Sequence, residues 1–492
     1  MSAGLAGEPA LEPLRMDPRR VGFFRFRRLG AKVLITNDFG RHCFLEEGEF
    51  RSFVSGELPE GELHSRLARE GFIRDRMDFE ALAEVWRRRN RFLWQGPGLH
   101  VVVVTLRCDH RCLYCQASSV SMRDRSCDMS LETARLVVDR IFESPSPALT
   151  IEFQGGEPLA NWPALSFIVD YARRKNRKAK RRLWINLVSN LSLMDEKKLE
   201  FLLKKGVNFC TSLDGPADLH DANRLHAGGG SHALAVRWWR EIYRRTARRT
   251  FRIDALLTVT CFSLSRPREV VDSYLALGAR GIYLRPLSPL GLARKTWERI
   301  GYSPEEFLDF YRQAFDYILE VNSKRVFFEQ TARLFLAKML TDEDPNFLDL
   351  RSPCGAGIGQ IAYNYDGSLY TCDEGRMLSR MGDDSFRIGR ASEGGYREAV
   401  SHPTVRALAV ASCLDNQVSC SQCAYKPYCG ICPIQCYAEQ GDIMGRMPTN
   451  SRCRIHKGIL DILFSRLQED KARRIFQRWL KKKRPHSIYR RS

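Results

Sequence analysis

The chain has 492 residues, a formal net charge of +20 and 16 cysteines. That length supports several domains with cores of their own, while no apolar run approaches the roughly 20 residues of a membrane helix. Residues 1–20 lack the basic-then-apolar order of a signal peptide and read as a disordered tail. Clustered cysteines without an export signal point to metal or cluster ligation in a reducing cytoplasm, not to disulfides. The positive charge gathers in residues 173–182, 237–252 and 471–491. Such runs can bind nucleic acid or an acidic peptide; without interleaved aromatics they read rather as solvated helix faces.

Taken in order, residues 21–95 read as a small domain. Alternation predicts strands at 24–29, 32–37 and 41–45, with a turn at Asp38-Phe39-Gly40. Amphipathic spacing then predicts helices at 46–55, 60–70 and 78–92, the first two ended by Gly56 and Gly71, before a Gly96-Pro97-Gly98 linker. Many small folds read this way, including a plain packing cap for the next domain.

Residues 99–290 alternate strand and helix six times. Strands are predicted at 100–106, 148–154, 183–189, 208–213, 252–260 and 281–286. Helices are predicted at 130–143, 162–174, 195–205, 232–245 and 266–277. This is a parallel βα architecture, in which polar residues at the C-terminal strand ends form the site. The first strand runs into Cys108-Asp109-His110-Arg111-Cys112-Leu113-Tyr114-Cys115, a CxxxCxxC loop. Three thiolates there suit three corners of an iron–sulfur cluster better than zinc, which usually pairs CxxC with a distant second pair. The second strand ends in Gln154-Gly155-Gly156-Glu157-Pro158, whose glycines let backbone approach a ligand closely. Ser189 and Asn190 end the third strand, Ser212 and Asp214 the fourth, and Arg224 follows. Asp214-Gly215-Pro216 is otherwise a plain turn, and His220 and Asp221 read as a helix start. Arg285 lies on the sixth strand.

Residues 291–350 read as a helical connection, with helices at 304–322 and 329–339 and no nameable chemistry. Residues 351–455 hold Cys354, Cys372, Cys413, Cys420, Cys423, Cys429, Cys432, Cys436 and Cys453. So many cysteines exceed one zinc-ribbon site. Asp373 directly follows Cys372; a carboxylate there is either a base beside a cluster or a surface acid. Cys43, Cys127, Cys210 and Cys261 match no ligand position and read as buried or free thiols. Residues 456–492 read as one amphipathic helix, 459–480, and a basic tail.

CxxxCxxC with Tyr114 at its aromatic position, followed by Gly155-Gly156-Glu157-Pro158, resembles the radical S-adenosylmethionine (SAM) superfamily. The resemblance implies a partial (β/α)6 TIM-like barrel. It implies a catalytic 4Fe-4S cluster on Cys108, Cys112 and Cys115. SAM contacts would come from Tyr114, the GGEP residues Gly155, Gly156, Glu157 and Pro158, and from Ser189, Asn190, Ser212, Asp214 and Arg224. Cys354-x12-Gly367-x4-Cys372, with Cys420-x2-Cys423-x5-Cys429 and Cys453, resembles the SPASM extension of peptide and protein maturases. That implies two auxiliary 4Fe-4S clusters. Cys420, Cys423, Cys429 and Cys453 would hold one. Cys354 and Cys372 would hold the other, completed by Cys432 or Cys436 and by Cys413; Cys429-x2-Cys432-x3-Cys436 departs from the family spacing, so this choice stays open. In the related anaerobic sulfatase-maturating branch an acid at the place of Asp373 deprotonates substrate. Residues 21–95 resemble the winged-helix-like element that binds a precursor's leader as an added strand. The whole layout is similar to the B-type maturase of the His-Xaa-Ser peptide system. That implies reductive cleavage of SAM to a 5′-deoxyadenosyl radical, which abstracts hydrogen from a precursor peptide. It also implies a flavodoxin- or ferredoxin-type donor and a paired second radical SAM maturase. Action on RNA or another non-peptide substrate, and a non-catalytic iron–sulfur electron-transfer role, are the alternatives.

Overall fold

The computed structural model describes residues 16–246, 253–345, 348 and 350–481. Parts of the expected tail (1–15) and of two basic runs (247–252 and 482–491) lie outside the described residues. The chain divides into two compact units, residues 1–89 with 422–428, and 90–421 with 429–492.

In the first unit β1 (Arg25–Leu29), β2 (Lys32–Thr36) and β3 (His42–Glu46) form an antiparallel sheet. Asn37 makes the second turn: its Oδ1 accepts from the backbone N–H of Phe39 and of Arg41, both at 3.2 Å, and Gly40 takes the left-handed φ of 78° that the turn needs. Three helices follow, α1 (Glu47–Ser55), α2 (Glu62–Arg69) and α3 (Phe79–Asn90). Alternate strand residues Val33, Ile35 and Leu45 meet Phe50, Phe53, Leu67 and Phe72 in the core. The distant segment 422–428 also belongs to this unit. Thr36 Oγ1 donates to Ala424 O at 2.7 Å, and Lys426 Nζ lies 3.0 Å from Asp38 Oδ1.

In the second unit six parallel strands neighbour one another in chain order: β4 (Leu99–Val103), β5 (Ala148–Gln154), β6 (Arg182–Ser189), β7 (Asn208–Ser212), β8 (Ile253–Thr258) and β9 (Leu284–Arg285). Between them run α4 (Leu131–Ile141), α5 (Trp162–Ala179), α6 (Glu196–Lys204), α7 (Ala217–Asn223), α8 (Ser231–Thr246) and α9 (Pro267–Ala276). The mixed α/β fold with a parallel sheet is the expected one. On β5, Leu149, Ile151 and Phe153 are wholly buried on one face, while Thr150, Glu152 and Gln154 alternate onto the other. Ser130 and Asp195 cap α4 and α6 through side-chain oxygens. α5 runs five residues past its expected end, because its Arg and Lys residues favour helix and nothing interrupts it before the left-handed Lys180.

Two expectations change, and one feature is new. The strand expected at 281–286 is split: Gly281–Ile282 pairs with Phe328–Glu329, and β9 pairs with β8. Buried Glu329 enforces the split by accepting from Leu284 N. The cysteine-rich region continues the barrel sheet: β10 (Gln360–Tyr363) adds parallel to β4, and β11 (Ser368–Tyr370) and β12 (Arg387–Arg390) follow antiparallel. The helix expected at 459–480 is two helices, Ser451–Leu467 and Asp470–Leu480. The apolar period survives the break, with Leu463 and Phe464 buried on one side and Ile475 and Phe476 on the other, which is why periodicity alone does not reveal it. No described helix is long and apolar enough to cross a membrane.

Candidate functional site

The site forms at the C-terminal ends of β4 to β7. β4 leads into Arg107, whose guanidinium grips Asp128 with two bonds, Nε to Oδ1 at 2.8 Å and Nη2 to Oδ2 at 2.7 Å. Thr105 Oγ1 donates to the same carboxylate at 2.6 Å, and Arg107 Nη2 reaches Ala160 O at 2.6 Å. This clamp sets where the cysteine loop departs. The loop then pairs as a short antiparallel ribbon with residues 224–226, Cys112 opposite Arg224 and His110 opposite His226. The two histidine rings stack at 4.7 Å.

Behind the ribbon lies a buried relay. His220 Nδ1 accepts from Asp214 N at 3.2 Å, so its Nε2 carries the hydrogen that goes to Ser231 Oγ at 3.0 Å. Ser231 Oγ also lies 2.8 Å from His110 Nε2, and His110 Nδ1 lies 2.9 Å from Asp109 Oδ1. Burial pushes the His220 pKa down to about 2, which keeps that ring neutral. Burial works against ionised Asp109, but hydrogen bonds from His110, Ser192 and Asn190 outweigh it and hold the carboxyl well below the usual range. His220 and Asp221 therefore belong to α7, and the helix begins at Ala217.

Tyr114 turns inward. Its hydroxyl donates to Asp214 Oδ2 at 2.5 Å and accepts from Arg224 Nη1 at 2.7 Å. Asp214 Oδ1 accepts from Thr258 N at 3.3 Å. Both Asp214 oxygens thus have protein donors, and the residue anchors the loop through Tyr114. Arg224 Nε is buried without a partner among the described residues. Ser212 ends β7 two residues earlier, half-buried.

The GGEP turn is pressed against the base of the loop. A Cβ on Gly155 would stand 2.5 Å from Thr105 O, and one on Gly156 2.3 Å from Arg107 O and 2.4 Å from Leu106 O. Gly155 also has φ 126°, so glycine is needed at both places for contact and at the first for conformation. Glu157 is fully buried and accepts from Leu159 N at 3.0 Å, Ser189 Oγ at 2.8 Å and Asn190 N at 2.8 Å. Burial raises its pKa to about 7 despite these donors. Glu157 therefore ties the turn, with Pro158 opening its short helix, to the end of β6. Asn190 Nδ2 turns back to Asp109 Oδ1 at 3.0 Å.

Cys108, Cys112 and Cys115 stand on one loop, with Cys115 packed against the apolar group that holds Cys112, Leu113 and Tyr114, a donor set whose chemistry suits an iron–sulfur cluster. Burial is the main cause that raises the Cys108 thiol and pushes Cys112 up to about 12, with the neighbouring thiols adding to it. Thiols so placed are protonated and unreactive until a cation displaces the proton. The segment 291–296, read from sequence as chemically silent, supports this loop. Leu292 N donates to Cys115 O at 2.8 Å, Thr296 Oγ1 donates to Leu113 O at 2.7 Å, and a Cβ on Gly291 would lie 2.4 Å from Gln116 O. A lone glycine in a loop carries no signal of such a contact. Arg285 Nη2 reaches the same loop at Gln116 Oε1, 3.1 Å away.

The remaining cysteines sort by packing. Cys354, Cys372 and Cys432 share one apolar cluster with Met377, Leu378 and Ile434. Cys420 and Cys436 share another with Ile431 and Met447, against which Cys429 and Cys453 pack. Cys432, not Cys436, thus accompanies Cys354 and Cys372. Cys413 is in neither cluster, its Sγ 3.9 Å from Asp415 Oδ2. Cys423 lies in segment 422–428 of the first unit. Asp373 is mostly buried and accepts from Arg376 Nε at 2.7 Å, so it is not a surface acid. Its charge is felt by Glu152, whose pKa is raised by burial, with Asp373 adding to the rise. Gln154 Nε2 and Asn186 Nδ2 donate to Glu152 at 2.7 and 3.3 Å. Sequence reading missed Glu152, although a carboxylate inside an otherwise apolar strand was a visible irregularity. Cys43, Cys127 and Cys210 are buried and Cys261 half-buried.

Residues 102–260 match the family model of the Radical SAM superfamily. A cysteine-type anaerobic sulfatase-maturating enzyme of Clostridium perfringens strain 13 is 23% identical over 381 residues, 73% of this chain and 94% of that one. The solved structure of native anSMEcpe with bound AdoMet and Cp18Cys peptide is similar at TM-score 0.63, with 21% identity, over 77% of this chain and all of that one. Streptococcus suis SuiB bound to precursor peptide SuiA is similar at TM-score 0.55, with 13% identity, over 88% of this chain and all of that one. The Radical SAM domain over residues 102–260 makes this an enzyme, and the cofactors that go with that domain are a 4Fe-4S cluster and SAM.

Proposed function

We propose that this enzyme modifies a ribosomally made precursor peptide or protein in a reducing cytoplasm. The observation that carries the reading is the union, in one chain, of the GGEP-braced CxxxCxxC loop with two further buried thiol groups. Similar architecture occurs in SuiB, solved with its precursor peptide, and in anSMEcpe, solved with a peptide. Residues 21–95 would bind the precursor's leader, and a His-Xaa-Ser repeat peptide is the substrate proposed. A flavodoxin- or ferredoxin-type donor and a paired second maturase complete the system.

Cys108, Cys112 and Cys115 would hold the catalytic cluster, and the backbone of Gly155 and Gly156 with Arg224 would hold SAM. Cys354, Cys372 and Cys432 would hold one auxiliary cluster. Cys420, Cys429 and Cys453, with Cys436 packed beside them, would hold the other. When bound, the cluster and SAM supply one-electron cleavage to a 5′-deoxyadenosyl radical, and the protein supplies position. Arg107 with Asp128 fixes the start of the loop, Tyr114 with Asp214 and Arg224 its far end. Asp373 has Oδ1 held by Arg376, which leaves Oδ2 to accept a proton from substrate.

The test is 5′-deoxyadenosine formation by anaerobically reconstituted, reduced enzyme, with and without a His-Xaa-Ser repeat peptide, beside a Cys112→Ala control. Formation that requires Cys112 and accompanies a mass change in the peptide is expected. Formation without any peptide change would remove the substrate reading, and steeply salt-dependent RNA binding would redirect it. No formation from cluster-loaded protein would leave an electron-transfer role.

A further inference from the structure

Two arginines are sealed inside the second unit with most of their donors unused. Arg351 and Arg376 are both 0% exposed. Nε, Nη1 and Nη2 of Arg351, and Nη1 and Nη2 of Arg376, find no acceptor among the described residues. Only Arg376 Nε is satisfied, by Asp373. A guanidinium does not give up its proton in a protein, and a buried cation without a partner is strongly destabilising. Such groups persist where an anion faces them.

Their surroundings say where that anion sits. Arg351 precedes Cys354 by three residues, and Arg376 lies one helical turn beyond Cys372, in the helix Asp373–Ser379. Both cysteines belong to the apolar group completed by Cys432. Room is made for Arg351: a Cβ on Gly359 would lie 2.0 Å from its Nη2, and one on Gly355 2.9 Å away. Its guanidinium carbon stands 4.1 Å from the centre of the Phe92 ring. The negative groups that act on it are Cys354 and Asp344, and Asp344 is itself 3.6 Å from Lys338. Burial outweighs both and lowers the Arg351 pKa to about 10, so these groups do not balance its charge.

We propose that Arg351 and Arg376 are the counter-charges of the auxiliary iron–sulfur cluster held by Cys354, Cys372 and Cys432, that their spare N–H groups face its sulfur atoms, and that they set its reduction potential. A four-iron cluster on thiolates is anionic, and hydrogen bonds to its sulfurs and nearby charge tune its potential. Positive charge favours the more negative, reduced form, so each arginine raises the potential. Arg376 is a positioning residue with two partners, because its Nε holds Asp373 while its remaining donors face the cluster. This inference rests on the reading that these three cysteines hold a cluster.

The experiment uses the full chain in a Cys108→Ala/Cys112→Ala/Cys115→Ala background, so that auxiliary clusters alone contribute. Iron and sulfide are measured first, then potentials by redox titration followed by electron paramagnetic resonance. Arg351→Gln and Arg376→Gln are expected to lower the midpoint of the one signal that Cys372→Ser abolishes, and to leave the other signal in place. Arg351→Lys and Arg376→Lys, which keep the charge, are expected to move it less. Glutamine variants with full iron and an unmoved midpoint would overturn the inference. If a glutamine variant loses iron, recovery of that iron in the lysine variant supports the charge role, and its loss there too, in protein with unchanged circular dichroism, overturns it. If Cys372→Ser removes no iron at all, the cluster reading itself fails, a result distinct from an unmoved midpoint.

Discussion

Gly156→Ala tests the brace beneath the cysteine loop. The added carbon would stand 2.3 Å from Arg107 O and 2.4 Å from Leu106 O. Carbon–oxygen contacts settle at about 3.3–3.6 Å, so the turn must retreat by about 1 Å. Two backbone bonds span that gap, Gly156 N to Thr105 O at 3.0 Å and Glu157 N to Arg107 O at 2.7 Å, and a retreat of about 1 Å takes both out of reach. Their loss costs about 1 kcal/mol each, and residual overpacking about 1–3 kcal/mol. A total of about 3–5 kcal/mol follows. The thermal midpoint of the second unit should fall by roughly 4–6 °C, and SAM affinity, measured by equilibrium dialysis on reconstituted protein, by at least about tenfold. Gly48→Ala is the matched control. It lies within α1 with no atom within 4 Å of the added carbon, so the same change should stabilise by about 0.5–1 kcal/mol and leave SAM affinity alone. A Gly156→Ala protein with the wild-type midpoint and affinity would refute the steric argument.

Arg107→Met and Asp128→Asn should be strongly non-additive, with a coupling of about 1–3 kcal/mol in a double-mutant cycle; additive effects in denaturant unfolding would mean that the clamp is not a unit. The pKa of His42 is pushed down by burial, with Arg41 and Arg66 adding, to about 4. Its neutral form is the one the fold accepts, so the first unit keeps full stability above pH ~6.5 and loses about 2–3 kcal/mol as pH falls towards ~4. His42→Phe should flatten that slope in urea titrations run across the same range. Cys432→Ser should remove the same spectroscopic signal as Cys372→Ser, whereas Cys436→Ser should leave it intact. Loss of that signal from Cys436→Ser and not from Cys432→Ser would reverse the sorting by packing.

Local rules made most elements legible. Alternation along Ala148–Gln154, the helical spacing that begins near Ser130 and Asp195, and the turn at Asp38-Phe39-Gly40 act between neighbours in sequence, and the structure keeps them. The cysteine loop and the GGEP turn were legible for the same reason: each is a contiguous motif whose chemistry depends on short spacing. Tertiary structure alone decided what those motifs lean on. Arg107 meets Asp128 across 21 residues, His110 meets Ser231 across 121, and Thr296 meets Leu113 across 183. No periodicity or propensity records such pairs. The same holds for the packing of Cys432, and not Cys436, beside Cys354 and Cys372 with Met377 and Ile434, which the spacing of the cysteines does not record. The addition of β10 to the free edge of β4 is likewise a matter of unpaired backbone finding a partner, not of side-chain pattern. Spacing in the sequence determined which residues can do chemistry, because ligand geometry is local. Burial determined which of them are held by partners and which are kept neutral, because burial is a property of the whole fold.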